Sequence, residues 1–333
     1  MKWIKMEMKT TTEAVDLVSV MLADLGVEGI GISDFVPLSE EDKQKMFIDI
    51  LPELPEDDGS ATVSFYLDTD TDIEALKANI AVELAELRQF IDVGSGELSV
   101  SETEDKDWIN NWKEFFKPFR VDDSIVIKPT WETLTEKKDG DLVVEIDPGT
   151  AFGTGAHETT KLCIWNLKKY IKNGDIVFDV GCGSGILSII SMLLGSGYAA
   201  AVDIDPIAVG VTAENAEVNK LAAVVCEKDE KGHPVFTGKN GLIEVSDGNV
   251  IGDVALREAV GLHKFDIVVA NILADVIIPL SGVVREFMKP GALFISSGII
   301  NMKQEAVEEA LRENGFEIVE VVTQGDWVSI VAK

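Results

Sequence analysis

From residue 131 to the end of the chain, short apolar runs alternate with longer stretches of helical periodicity, and this alternation limits the fold more than any other feature. The runs Ile176–Val180, Ala199–Val202, Phe265–Ala270 and Ala292–Ser296 have strand length and few polar residues. A strand without a polar face is covered on both sides, as in a parallel sheet flanked by crossover helices. Helical stretches follow at 186–194, 207–219 and 302–314. The expectation is an α/β fold with a doubly wound, mostly parallel sheet. Trp327 to Val331 would add a last, antiparallel strand. Such sheets bind ligands at the carboxyl ends of their strands.

The turn after the first run reads Asp179-Val180-Gly181-Cys182-Gly183-Ser184-Gly185. Glycines let the backbone turn sharply and let a ligand approach the main chain. The helix that follows offers unpaired N–H groups to a carboxylate. A dinucleotide fingerprint needs its third glycine at position 186. That position is Ile186, and the glycine comes one residue early. The Gly-x-Gly-x-Gly form resembles the S-adenosylmethionine loop of Rossmann-like methyltransferases; a tight structural turn is the plainer reading.

Asp203 ends the second run, about 20 residues beyond the loop, where an acid can hydrogen-bond both ribose hydroxyls. Asp205, just before Pro206, suits a helix N-cap instead. Asn271 follows the third run in the setting Asn271-Ile272-Leu273-Ala274. Its carboxamide oxygen can hold an amine by its N–H and aim the nitrogen lone pair at a sulfonium methyl. A cap on the strand-end turn is the alternative.

The first hundred residues read βαββαβ, the order of a ferredoxin-like domain. Asp72 would cap its second helix, and Thr12 would open its first. Residues 103–130 hold Trp108, Trp112, Phe115, Phe116 and Phe119, of which the first three share one helical face. Domains are therefore expected at 1–102 and 131–333, joined by a linker helix and connection. The net charge is −30. Residues 1–105 carry 7 Lys and Arg against 25 Asp and Glu, a net −18. Such a field repels nucleic acid and attracts cationic partners. Three cysteines and three histidines without ligand spacing argue against a metal site. No apolar run reaches membrane length, and the amino terminus lacks a signal-peptide core. A cytoplasmic monomer is expected.

With these residues in view, the chain resembles the ribosomal protein L11 methyltransferase family over nearly its whole length. The most specific stretch is Asp147-Pro148-Gly149-Thr150-Ala151-Phe152-Gly153-Thr154-Gly155-Ala156-His157-Glu158-Thr159-Thr160. The resemblance implies an S-adenosyl-L-methionine-dependent protein N-methyltransferase. Its substrate would be lysine side chains, and an N-terminal α-amine, of a basic large-subunit ribosomal protein. It also implies roles at the site: Thr160 near the methionine end, Gly181, Gly183 and Gly185 against the cofactor, Asp203 on the ribose, and Asn271 beside the transferred methyl. Phe152 would pack against the cofactor or in the core. His157 is read as structural rather than as a base. Ser246-Asp247-Gly248-Asn249 resembles the adenine-facing loop, with Asn249 or Asp247 meeting the amine. The stretch 221–264 looks longer than the family needs and is expected to be a surface hairpin or loop. A methyltransferase of small molecules or RNA is the alternative, and a non-catalytic scaffold a third reading.

Overall fold

The computed structural model describes residues 2–27, 29–37, 56–69, 71–104, 116–147 and 153–333. The chain divides into two compact units, Met1–Trp112 and Lys113–Lys333.

The first unit runs β1 (Lys2–Thr11), α1 (Val15–Asp24), β2 (Ile30–Asp34), β3 (Ser60–Asp68), α2 (Ile73–Leu87) and β4 (Leu98–Glu104). Its sheet, in the order β2-β3-β1-β4, is antiparallel throughout. Strand side chains alternate between faces. Met6, Met8, Ala61, Val63 and Phe65 therefore turn to one face, where they meet Val18 and Leu22 of α1 and Leu76, Ile80 and Leu84 of α2. The Asp72 carboxylate caps α2 by accepting the Ala75 N–H at 3.0 Å. Thr12 does not open α1; the cap residue is Ala14, whose N–H donates to Thr11 Oγ1.

The second unit begins with β5 (Phe119–Arg120), β6 (Ile125–Pro129) and β7 (Leu142–Ile146), a separate three-stranded sheet. Residues 119–129, read from the sequence as connection, are thus strands of this unit. Only three consecutive apolar residues, Ile125 to Ile127, marked the longer one. A paired Arg120 and Asp141 closes this sheet at 2.6 Å. The Trp-rich segment 105–115 lies outside the described residues.

Then follow α3 (Glu158–Tyr170), β8 (Ile176–Val180), α4 (Ile186–Leu193), β9 (Tyr198–Asp203), α5 (Pro206–Val218), β10 (Ala222–Val225), β11 (Leu242–Asp247), α6 (Val254–Val260), β12 (Phe265–Asn271), α7 (Ala274–Ser281), β13 (Met288–Ile300), α8 (Gln304–Glu313), β14 (Ile318–Gln324) and β15 (Trp327–Ala332). The eight-stranded sheet has the order β10-β11-β9-β8-β12-β13-β15-β14. It is parallel from β10 to β13, and β15 runs antiparallel between β13 and β14. One core cluster includes Phe178, Phe265 and Phe287, with the first two rings stacked 5.1 Å apart. The chain steps from β8 to β9, goes out to β10 at the edge and back to β11, then crosses to β12 on the other side of β8. That reversal opens a crevice at the carboxyl ends of β8 and β12.

The stretch 221–264 is not a surface addition as a whole. It supplies β10, β11 and α6, and only 226–241 loops outward. Four hydrogen bonds from Tyr198, Thr237 and Gly238 converge on the buried Glu244 carboxylate of β11. Burial alone would raise this carboxyl's pKa, but those donors hold it below the usual range. The segment expected to be a loop thus conceals a strand whose buried carboxylate is fully satisfied.

Candidate active site

The glycine loop joins β8 to α4. All three loop glycines take positive φ: 78° at Gly181, 54° at Gly183 and 79° at Gly185. A side chain at Gly181 would be strained by that φ and would meet Ile272 Cγ2 at 2.5 Å. A Cβ at Gly298, beyond Asn271 on the neighbouring strand, would fall on the carbonyl of the same Ile272. The residue after Asn271 is thus wedged between two glycines.

Most of the loop's N–H groups are bonded within the protein, chiefly to the end of β9. Gly181 and Cys182 donate to Val202 O, and Gly185 to Cys182 O. Gly183 donates to Asp203 Oδ2 at 2.8 Å. Asp203 Oδ1 accepts the Asp205 N–H at 3.0 Å. A carboxylate has about four lone-pair positions; these two bonds leave capacity for two hydroxyl donors. Asp205 in turn caps α5 through the Ile207 N–H, with Pro206 first in the helix, as its sequence setting implied.

Asp179, beside the glycine loop, is a residue that the sequence reading left without a role. Its side chain is fully buried. Asp179 Oδ2 accepts both the N–H and the hydroxyl of Ser188, capping α4 where Gly185 has no side chain to do so. Asp179 Oδ1 has no partner. Burial pushes this carboxyl up to about 7, against the Ser188 bonds and with help from the charge of Asp203. Its position immediately before a glycine loop was the available signal.

Across the crevice, Asn271 Nδ2 donates to Thr160 Oγ1 at 3.1 Å, bringing together two residues that lie 111 positions apart. Thr160 is 1% exposed, in the first turn of α3. The bond leaves Asn271 Oδ1 buried without a partner. An unpaired buried acceptor costs about 1–3 kcal/mol, so such atoms in a fold call for an explanation. His157 caps α3 toward Thr159 N, and its ring meets the edge of Trp327 at 4.9 Å. Those contacts give it a structural role; Trp327 drew notice in the sequence only as part of a strand.

At the tip of β11, Asp247 lies in register with Asp203. Lys228 of the outward loop sits 3.1 Å from the Asp247 carboxylate. Asn249 is exposed, and its side-chain oxygen accepts the Ile251 N–H at 3.0 Å. Phe152 lies outside the described residues. The tips therefore line up as Asp247, Asp203, Gly181 and Asn271 across four adjacent strands, a span of about 14 Å. The arrangement suits S-adenosylmethionine: a carboxylate for a sugar, a close-approach backbone loop, and an orphan acceptor at the far end. Among the described residues, no cluster of His, Cys, Asp and Glu could hold a metal ion, and no helix is long and apolar enough to cross a membrane.

A doubly wound sheet with this loop, acid and asparagine makes the chain a Rossmann-like methyltransferase that uses S-adenosyl-L-methionine. Comparison with known proteins narrows this. A family model described as ribosomal protein L11 methyltransferase (PrmA) matches residues 2–333, and the chain belongs to that family. A ribosomal protein L11 methyltransferase of Lachnoclostridium phytofermentans is 64% identical over 333 residues, covering all of this chain and 99% of the relative. One from Lachnospira eligens is 49% identical, with 100% and 99% covered. The crystal structure of a ribosomal protein L11 methylase from Lactobacillus delbrueckii matches at 28% identity and a TM-score of 0.54, covering 66% of this chain and 98% of that one.

Proposed function

We propose that this enzyme methylates lysine side chains, and an N-terminal α-amine, of ribosomal protein L11 in the cytoplasm. The observation that carries the reading is the partnerless Asn271 Oδ1, fixed by Thr160. A neutral amine needs one acceptor to orient its N–H while its lone pair stays free, and this atom supplies it. The cofactor, when bound, supplies a methyl on a sulfonium that needs no further activation.

The work left to the chain is position and desolvation. Asp203 holds the ribose, the main chain around Gly181, Gly183 and Gly185 receives the methionine part, and Thr160 orients Asn271. Asp247 retains acceptor capacity for an adenine amine. Asn249, whose oxygen is tied into a turn, offers only N–H groups there. A lysine ammonium in water ordinarily loses its proton at about pH 10.4 and must do so before attack. A partly apolar site disfavours the charged form, and water removes the proton. No protein base is required, in keeping with the capping role of His157.

The charge of −18 on residues 1–105 suits capture of a basic protein. On the first unit, Asp16, Asp24, Glu74, Glu83 and Glu86 stand exposed on the helices. The same charge disfavours an RNA substrate, and Ile272-Leu273 replaces the Pro-Pro of enzymes acting on glutamine amides or the adenine amino group. The test is incubation with labelled S-adenosylmethionine and unmodified ribosomal protein L11. Incorporation at lysine and the amino terminus, read as whole methyl increments by mass, is expected. Label appearing only in RNA or small molecules would overturn the assignment.

A further inference from the structure

One buried polar stripe on α5 does work that the cofactor site itself does not explain. Thr212, Asn215 and Asn219 stand at i, i+3 and i+7, on one face of the helix and its end. Thr212 and Asn215 are 0% and 2% exposed. Asn219 pairs with both backbone groups of Glu145, accepting its N–H at 2.9 Å and donating to its carbonyl at 2.7 Å. Asn215 Oδ1 accepts the Asp147 N–H at 2.9 Å. Four residues of helix rise about 6 Å and two of strand about 6.6 Å, so the two amides meet alternate residues along β7 and just beyond it. The helix stands in for a missing strand along that edge.

Further up the same stripe, the partners change. Thr212 Oγ1 donates to Gly183 O at 3.0 Å, and Asn215 Nδ2 donates to Ser184 O at 2.9 Å. Two successive carbonyls of the glycine loop are thus turned toward α5. In a planar trans peptide, C=O and N–H point in opposite directions. Holding Gly183 C=O toward α5 therefore aims the Ser184 N–H away from it. The Ser184 hydroxyl also donates to Gly153 O at 2.6 Å, which keeps the residue from turning over.

We infer that Thr212 and Asn215 are positioning residues for the cofactor. They hold the loop carbonyls back from the ligand and set the loop in its binding shape before the ligand arrives. The inference rests on the cofactor reading of the loop. Preorganisation of this kind is seen in affinity, because the ordering cost is met in the folded protein rather than on binding.

The experiment is calorimetric titration of the full chain with S-adenosylmethionine and S-adenosylhomocysteine, beside thermal denaturation without ligand. Native protein reports whether the cofactor reading holds at all. Thr212→Val and Asn215→Ala should each raise Kd about tenfold, and Thr212→Ser should restore it. Asn219→Ala, which removes bonds from the same stripe but none to the loop, should lower Tm while leaving Kd within about twofold. The inference fails if Thr212→Val and Asn215→Ala fold and bind like the native chain. It fails equally if Asn219→Ala loses as much affinity as they do, since the stripe would then act only through stability. Should Asn215→Ala not fold, the contrast between Thr212→Val and Thr212→Ser decides.

Discussion

Asn271→Ala should lower activity by much more than its small effect on stability can explain. In the folded enzyme without ligand, the asparagine makes one side-chain bond, to Thr160, and leaves Oδ1 buried and unpaired. A typical hydrogen bond contributes about 1 kcal/mol net, whereas an unsatisfied buried acceptor costs about 1–3 kcal/mol. Truncation removes the bond and the Oδ1 orphan but leaves the buried Thr160 Oγ1 without its donor at a similar cost of about 1–3 kcal/mol, so the net change is a loss of about 1 kcal/mol, that of the bond itself. The native enzyme regains the Oδ1 cost only when an amine N–H occupies that position. The variant therefore forfeits about 1–3 kcal/mol of transition-state interaction, which is roughly a 5- to 150-fold fall in kcat/KM at about 1.4 kcal/mol per tenfold. Methyl transfer followed with labelled cofactor gives the kinetics, urea denaturation gives the stability, and titration with S-adenosylhomocysteine confirms an intact cofactor site. Full turnover by a variant that binds cofactor normally would refute the reasoning. So would a fall in stability large enough to account for the lost activity.

Other predictions are independent of this one. In the fold, Asp179 is held near 7 against an ordinary 3.8, so it stabilises the protein fully below pH 3.8. That stability drains away as pH rises through 7, at about 1.4 kcal/mol per pH unit between the two values; Asp179→Asn should flatten that decline, and equal pH 5 to pH 8 differences in urea midpoint for the two proteins would count against it. Methylation of a basic protein substrate should lose about tenfold in 1/KM between low and molar salt, as the Debye length shrinks from about 30 to 3 Å, while cofactor affinity holds; a salt-independent KM would exclude electrostatic capture. Gly181→Ala should destabilise by about 1–2 kcal/mol from its positive φ, with a further steric cost against Ile272. Adding Ile272→Ala should recover the steric part alone, seen as a non-zero coupling in a double-mutant cycle; strict additivity would show that the two residues do not touch.

The parallel sheet was legible because strands covered on both faces leave short runs with few polar residues, and β8, β9, β12 and β13 each contain one. Asp203 and Asn271 were legible for a related reason: each is a polar residue directly after such a run, at the end where ligands bind. The first unit showed its period-two strands and its Asp72 cap, and there too the boundaries were set by local rules. What stayed hidden depends on partners distant in the chain. β6 and β7 carry short apolar stretches and are held by Arg120 with Asp141 and by the amides of α5. β11 carries Glu244, which reads as a surface residue until its four donors are counted. The Thr160–Asn271 bond spans 111 positions, about half of the catalytic unit. No spacing rule connects residues so far apart; only the strand order places them side by side.

The wedging of Ile272 bears on how the enzyme can change over generations. Its side chain leans on one hairless turn and its main chain on another, so a methyl acquired at Gly181 would push the first and one at Gly298 would push the second. Change at either glycine is therefore felt at Ile272, beside Asn271, although the three positions lie far apart in the gene.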